Sequence, residues 1–200
     1  IGVGRGCDPT GDLERVALAR RAIGPEVELF VDANGAYPRK RAIRVGRSLA
    51  EEGVTWFEEP VTSDDVDGLR EVRSAVQMDV AAGEYAYDAY GFARLLPSVD
   101  VLQADVTRCA GITGWMRATA LAASHGLDVS GHTAQSLHLH VAAAAPNLRH
   151  LEYFVDHERT DRLLFDGVPE PIGGELRPDP AVPGHGLSLK RSDAERYREA

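Results

Sequence analysis

Short β-branched apolar runs recur along the chain and alternate with stretches whose apolar residues return every three or four positions. The runs are Glu28-Leu29-Phe30-Val31, Val54-Thr55-Trp56-Phe57, Met78-Asp79-Val80-Ala81, Val99-Asp100-Val101-Leu102, Leu127-Asp128-Val129-Ser130 and His150-Leu151-Glu152-Tyr153-Phe154. Counted from Glu28, Val54, Asp79, Val99, Leu127 and His150, the intervals are 26, 25, 20, 28 and 23 residues. Between the runs, Leu13, Val16, Ala17 and Ile23 share one helical face, as do Ile43, Gly46, Leu49 and Ala50. Val66, Leu69, Val72 and Val76 repeat the pattern after Ser63, a candidate N-cap. Ile112 to Ser124 and Ala134 to Ala145 read as later, alanine-rich helices. Gly24-Pro25 and Gly53 stop the first two helices.

Strand and helix alternating at this spacing predict a parallel sheet with right-handed crossovers. An open doubly wound sheet and a barrel both fit, and the even spacing favours the barrel. Six strands are clear, and Ile1 to Arg5 offers a shortened seventh. From about Leu163 the chain changes character. Pro169, Pro171, Pro178, Pro180 and Pro183 predict an irregular wrap that ends in a Leu187-Ser188-Leu189 strand. The reading is a barrel domain over 1–162 and a proline-rich tail over 163–200, packed on the barrel or on a capping domain.

The 200 residues carry a net charge of −9, and no lysine–arginine block offers a footprint for nucleic acid. No apolar run reaches the roughly 20 residues that span a bilayer. Two cysteines, Cys7 and Cys109, make no disulfide framework and no C-x-x-C, which points to a reducing, cytoplasmic setting. Twenty of the 22 basic residues are arginine, with Lys40 and Lys190 the two lysines, which leaves little room for lysine chemistry.

Each strand runs into a polar residue: Asp32, Glu58, Glu84, Asp105, His132 and Glu152. In a βα barrel these strand ends surround one mouth. Asp32, Glu58 and Glu84 are 26 residues apart in turn. An acid at a βα turn also caps helices, so any one of them alone carries little. Three converging carboxylates, however, repel one another unless a cation neutralises them. Hard oxygen donors favour magnesium, or manganese, over zinc. Gly2-x-Gly4-x-Gly6 is a weak phosphate-loop signal without a preceding strand. His138 and His140 point to different sides of a helix and read as core or surface histidines rather than zinc ligands. Tyr85, Tyr87 and Tyr90 read as a packed loop, with a pocket lining the other option. Arg108 has two equal options, pairing with Asp105 or with a substrate carboxylate.

Asp32-Ala33-Asn34, Phe57-Glu58-Glu59-Pro60, Ala82-Gly83-Glu84, Gln103-Ala104-Asp105 with Gly111-Ile112-Thr113-Gly114, and Ser130-Gly131-His132 resemble the enolase superfamily, in its mandelate racemase-like branch. The resemblance covers about Asp8 to Glu152. It implies a modified (β/α)7β barrel beside a capping domain, with the first barrel strand and the capping domain absent from this sequence. It implies magnesium on Asp32, Glu58 and Glu84, a histidine–aspartate dyad at His132 and Asp105, and a last-strand acid at Glu152. The family's Lys-x-Lys is missing: the second lysine's position falls on Gly2 or Gly4. With one base rather than two, the expectation is a magnesium-dependent lyase that dehydrates an acid sugar, a small-molecule carboxylate. A racemase or epimerase and a non-catalytic metal-binding barrel are the alternatives. An open sheet edge further predicts a homo-oligomer or a longer chain with the capping domain.

Overall fold

The computed structural model describes residues 2–4 and 9–198. Helices and strands alternate: α1 (Pro9–Ile23), β1 (Leu29–Asp32), α2 (Arg39–Glu51), β2 (Val54–Glu58), α3 (Val66–Arg73), β3 (Asp79–Ala82), α4 (Ala89–Leu95), β4 (Val101–Ala104), α5 (Gly111–Ser124), β5 (Asp128–Gly131), α6 (Gln135–Ala143), β6 (Leu148–Leu151) and α7 (Val155–Leu164). The six strands form one parallel sheet in the order β1-β2-β3-β4-β5-β6. The sheet curls far enough for His150 on β6 to pack against Phe30 on β1 and Trp56 on β2, with ring centroids 5.2 and 4.9 Å apart. This is the incomplete barrel expected from the strand spacing. Of the expected seventh strand, the described residues include Gly2, which forms a parallel bridge with Asp32, and Val3, whose N–H donates to the Asp32 carbonyl at 2.7 Å. The phosphate-loop reading runs onto Gly6, and with Ile1, Arg5, Cys7 and Asp8 that position lies outside the described residues.

Burial follows the periodicity. On α2, Ala42, Val45, Gly46 and Leu49 are buried against the sheet. A β-carbon at Gly46 would come within 2.6 Å of Val76, so glycine lets the chain beyond α3 approach α2 closely. On α1, Val16 is fully buried, but Ile23, at the helix end, is 38% exposed and leaves the core face predicted for it. The cap of α3 is Asp65 rather than Ser63. The Asp65 carboxylate accepts the Gly68 N–H at 3.1 Å and the Arg39 Nε–H at 2.7 Å. The helix therefore starts two residues later than the Ser63 reading. Asp65→Ala is expected to cost about 1 kcal/mol, whereas Ser63→Ala stays within about 0.5 kcal/mol, as surface changes do; thermal melting separates them. The Arg39 hydrogen bond holds Asp65 below the ordinary carboxylate range. Its contribution is therefore present above the unfolded carboxylate pKa and is lost as acidification protonates the folded carboxyl.

The tail contains more order than its composition predicts. α7 forms without a buried residue, and β7 (Phe165–Asp166) pairs antiparallel with β8 (Ser188–Leu189) before a short α8 (Arg191–Ala194). The predicted last strand thus joins this small ribbon and not the barrel. Lys190 belongs to the same ribbon, its Nζ donating to the Arg162 carbonyl at 2.8 Å. Among the described residues no helix is long and apolar enough to cross a membrane.

Candidate active site

The carboxyl ends of the strands open onto a cavity of about 780 Å3. Its floor is the Phe30–Trp56–His150 ring cluster, and Asp32, Glu58, Glu84, His132 and Glu152 line its walls. Asp32 and Glu58 are directly paired across β1 and β2, so their side chains leave the sheet on the same face. Glu84 lies two residues past β3, after Gly83 with φ +141°, where a β-carbon would come within 2.6 Å of the Gln103 carbonyl. Glycine lets the chain turn back over the mouth at that point.

Each acid is held. Asp32 accepts the Asn34 N–H at 2.8 Å. Glu58, buried in the barrel, accepts from Trp56 Nε1 at 3.0 Å and from the Gln103 amide. Glu152 accepts the Thr133 N–H at 2.9 Å. Asp105 accepts the N–H and the hydroxyl of Thr107, both at 2.7 Å. Those Thr107 bonds leave the other oxygen of Asp105 to meet His132 Nδ1 at 2.8 Å. His132 Nε2 in turn lies 2.9 Å from Glu84. Arg108 answers the pairing question with two carboxylates at once, 3.4 Å from Asp105 and 3.4 Å from Glu84, while its guanidinium lies over the Tyr85 ring.

The charges divide into two groups. Burial raises the pKa of Asp32, helped by the charge of Glu84. Burial also raises Glu58 well above the carboxylate range, with Glu152 and Asp32 adding to it, and raises Glu152 itself. Glu59, the neighbour of Glu58, is pushed up to about 8 by burial and by Glu84 and Asp32. On the other side of the mouth, burial acts against ionisation but hydrogen bonds win. Those from His132 and Thr107 bring Asp105 down to about 2, and those to Asp105 and Glu84 bring His132 up to about 10. Glu84 is likewise lowered against its burial by His132 and Arg108.

The six residues predicted for the site thus line or adjoin one mouth. The three acids expected on a cation are not drawn around one point: among the described residues no three His, Cys, Asp or Glu side chains sit close enough to hold a metal. The reason is local, since Glu84 is turned onto His132 and Arg108. The donor set still fits a hard divalent cation. It is all oxygen, and the charge of Glu84 adds to the raised pKa of Asp32 and of Glu58, a repulsion that a cation relieves.

Several predictions are corrected. Tyr85, Tyr87 and Tyr90 are 48, 59 and 82% exposed, so they do not form a packed loop; Tyr85 lines the cavity and the other two face solvent. Trp56, Thr107 and Thr133 hold the acids without a signal of that role in the sequence, and Asn34, part of the Asp32-Ala33-Asn34 motif, holds Asp32 through its N–H. Gln103 carried a signal, as an amide inside the otherwise apolar Val101–Ala104 strand. Of the two glycines at the missing lysine's position, Gly2 lines the cavity with no atom within 4 Å of an added β-carbon. Gly4, at φ +82°, would place that carbon 2.4 Å from Ala36 and has room for no side chain. No lysine among the described residues lines the cavity.

Ala110, which precedes α5, holds a left-handed φ of +66° that glycine adopts freely. Ala110→Gly is expected to stabilise the fold by about 0.5–1 kcal/mol, the left-handed penalty less the entropy of glycine. That gain is a rise of about 1–4 °C in melting temperature.

The family model "Enolase C-terminal domain-like" matches residues 1–194. The L-talarate/galactarate dehydratase of Salmonella typhimurium LT2 is 34% identical over 145 residues, covering 72% of this chain and 36% of that protein. A structure of that enzyme liganded with Mg and L-lyxarohydroxamate superposes with a TM-score of 0.87 at 30% identity, covering 96% of this chain and 48% of the other. The D-galactarolactone cycloisomerase of Agrobacterium fabrum is 32% identical over 203 residues, covering 94% of this chain and 53% of the relative. A crystal structure of a mandelate racemase/muconate lactonizing enzyme-like protein from Rubrobacter xylanophilus is 50% identical with a TM-score of 0.93, covering 97% of this chain and 54% of that one. The chain thus spans between about a third and about half of the length of these relatives. A curled, incomplete parallel barrel with its acids, histidine and aspartate at the strand ends, matched over residues 1–194 by one family model, makes this chain a member of the enolase C-terminal domain-like family, within the enolase superfamily.

Proposed function

We propose that this chain is the barrel portion of a magnesium-dependent lyase that removes the proton next to a carboxylate and dehydrates an acid sugar. Asp32, Glu58 and Glu84 are its candidate metal ligands, with manganese an alternative ion. His132 is the base and acid, Asp105 its partner, and Glu152 the acid facing the substrate. The hydrogen-bonded series Asp105–His132–Glu84 at the wall of the acid-lined cavity carries the reading.

A proton next to a carboxylate is too weakly acidic to leave at neutral pH without help. A divalent cation held by Asp32, Glu58 and Glu84 would supply electrostatic stabilisation for the charge that develops on the substrate carboxylate. His132 Nε2 takes the proton in its neutral form and returns one to the departing hydroxyl as imidazolium. Asp105, accepting from Nδ1, keeps Nε2 as the working nitrogen. Burial raises the pKa of Glu152, and in its protonated form Glu152 would donate a hydrogen bond to the substrate's developing charge. No lysine among the described residues lines the cavity, which favours a one-base dehydration over racemisation.

The same proposal takes residues 1–162 as the barrel and 163–200 as a tail on the barrel or on a capping domain, with the site completed by that domain or by an oligomer. It sets the protein in the cytoplasm, in keeping with the buried free thiol of Cys109. The test is a panel of aldonates and aldarates followed for loss of water, with magnesium and with a chelator. Magnesium-dependent formation of a keto-deoxy acid is the expected result. An epimer without water loss would convert the reading to a racemase, and no reaction across the panel would overturn it.

A further inference from the structure

His138, in α6, lies outside the cavity and takes no part in the chemistry above. Its side chain is fully buried, yet every polar atom on the ring is used. Nε2 accepts the Val106 N–H at 2.9 Å. Nδ1 lies 2.9 Å from the Thr133 carbonyl and 3.3 Å from that of Ala134. A carbonyl only accepts and an N–H only donates, so the ring is fixed as the neutral tautomer with its proton on Nδ1. Val106 directly follows Asp105, and Thr133 directly follows His132. The ring therefore joins the peptide beside one member of the dyad to the peptide beside the other.

The surroundings keep the ring still. Trp115 packs edge-on at 4.9 Å. Gly131 lies beneath the ring, where an added β-carbon would come within 3.1 Å of it. Thr133 and Ala134 both hold left-handed φ values, +43° and +41°, which side-chain-bearing residues adopt only when the surroundings impose them. The Nδ1 proton reaches the carbonyls of both residues. Burial lowers the pKa of His138, in keeping with a neutral ring.

We propose that His138 is a positioning residue: it ties the loop after β4 to the loop after β5 and so holds Asp105 and His132 in hydrogen-bonding register. The inference rests on the dyad reading above, but its structural half is testable without any substrate. In chain labelled with 15N-histidine, His138 should resonate as the neutral Nδ1–H tautomer, with a scalar coupling across the hydrogen bond from its Nε2 to the Val106 amide nitrogen. His138→Phe keeps the packing on Trp115 and removes both arms. It should lose the downfield Nδ1 proton of His132 to solvent exchange. His138→Gln, which keeps an acceptor for Val106, and His138→Asn, which keeps a donor for Thr133, should each retain that resonance in part. If the chain dehydrates an acid sugar, kcat in His138→Phe should fall about 100-fold, the cost of a misplaced catalytic group, while KM stays within about twofold. A parent inactive on the whole panel would count against the function and leave the spectroscopic arms standing. A folded His138→Phe with the His132 proton and kcat unchanged would overturn the proposal. So would a parent His138 that is charged or protonated on Nε2 at neutral pH, an outcome that decides the matter even where His138→Phe does not fold.

Discussion

His132→Asn is expected to lower the rate of acid-sugar dehydration by about 10²–10⁴-fold, the span one positioned acid–base group contributes. Asparagine keeps a polar group near Asp105 but cannot exchange a proton at neutral pH. No lysine among the described residues lines the cavity to share the task. Proton abstraction and return to the hydroxyl should therefore fail together. Asp105→Asn should retain part of the activity, since the amide oxygen that replaces the carboxylate still accepts from His132 Nδ1. Its pH profile should shift to lower pH, because losing the Asp105 carboxylate removes a charge that raises the His132 pKa. Rates across a pH series for the two variants check both statements. A His132→Asn variant with parental rates would remove the histidine from the mechanism.

Removing a single carboxylate of the set Asp32, Glu58 and Glu84 is expected to abolish magnesium binding. The parent should take up one ion per chain by calorimetry. At a concentration of 100 times its Kd, that ion should stabilise the fold by about 2.7 kcal/mol. Asp32→Asn, Glu58→Gln and Glu84→Gln should each lose more than the about 10–100-fold in affinity that loss of an outer partner costs. Without metal the sign reverses at Asp32, where burial and the Glu84 charge oppose ionisation. Metal-free Asp32→Asn should melt no lower than the metal-free parent, because it removes a repulsive charge. Three variants that bind magnesium like the parent would show that the ion sits elsewhere.

Much of this site could be read from the chain because strand ends are local features. Asp32, Glu58, Glu84, Asp105, His132 and Glu152 each follow an apolar run, and a parallel barrel gathers such positions on one face. What the chain did not disclose depends on the curl of the sheet. The rings of Phe30, Trp56 and His150 come from three strands and meet only because β6 approaches β1 and β2. Glu84 pairs with His132 rather than with Asp32 and Glu58 because the turn at Gly83 carries it beyond the strand end. β4 and β6 lie about two residues from their predicted starts, since Val99 is buried before its strand begins and Leu148 opens β6 ahead of His150. α7 escaped the periodicity because it buries no residue, leaving no apolar face to detect. His138 read as an ordinary core histidine, and only its three partners separate it from one.

The central step of the proposed reaction is proton abstraction next to a carboxylate by His132 with the help of a divalent ion. Proton NMR of an accepted acid sugar incubated with the chain in deuterium oxide measures that step apart from the loss of water. Deuterium is expected at the α-carbon with magnesium present, none in chelator, and none in His132→Asn even with magnesium. Incorporation that persists in His132→Asn, or in chelator with the parent chain, would contradict it.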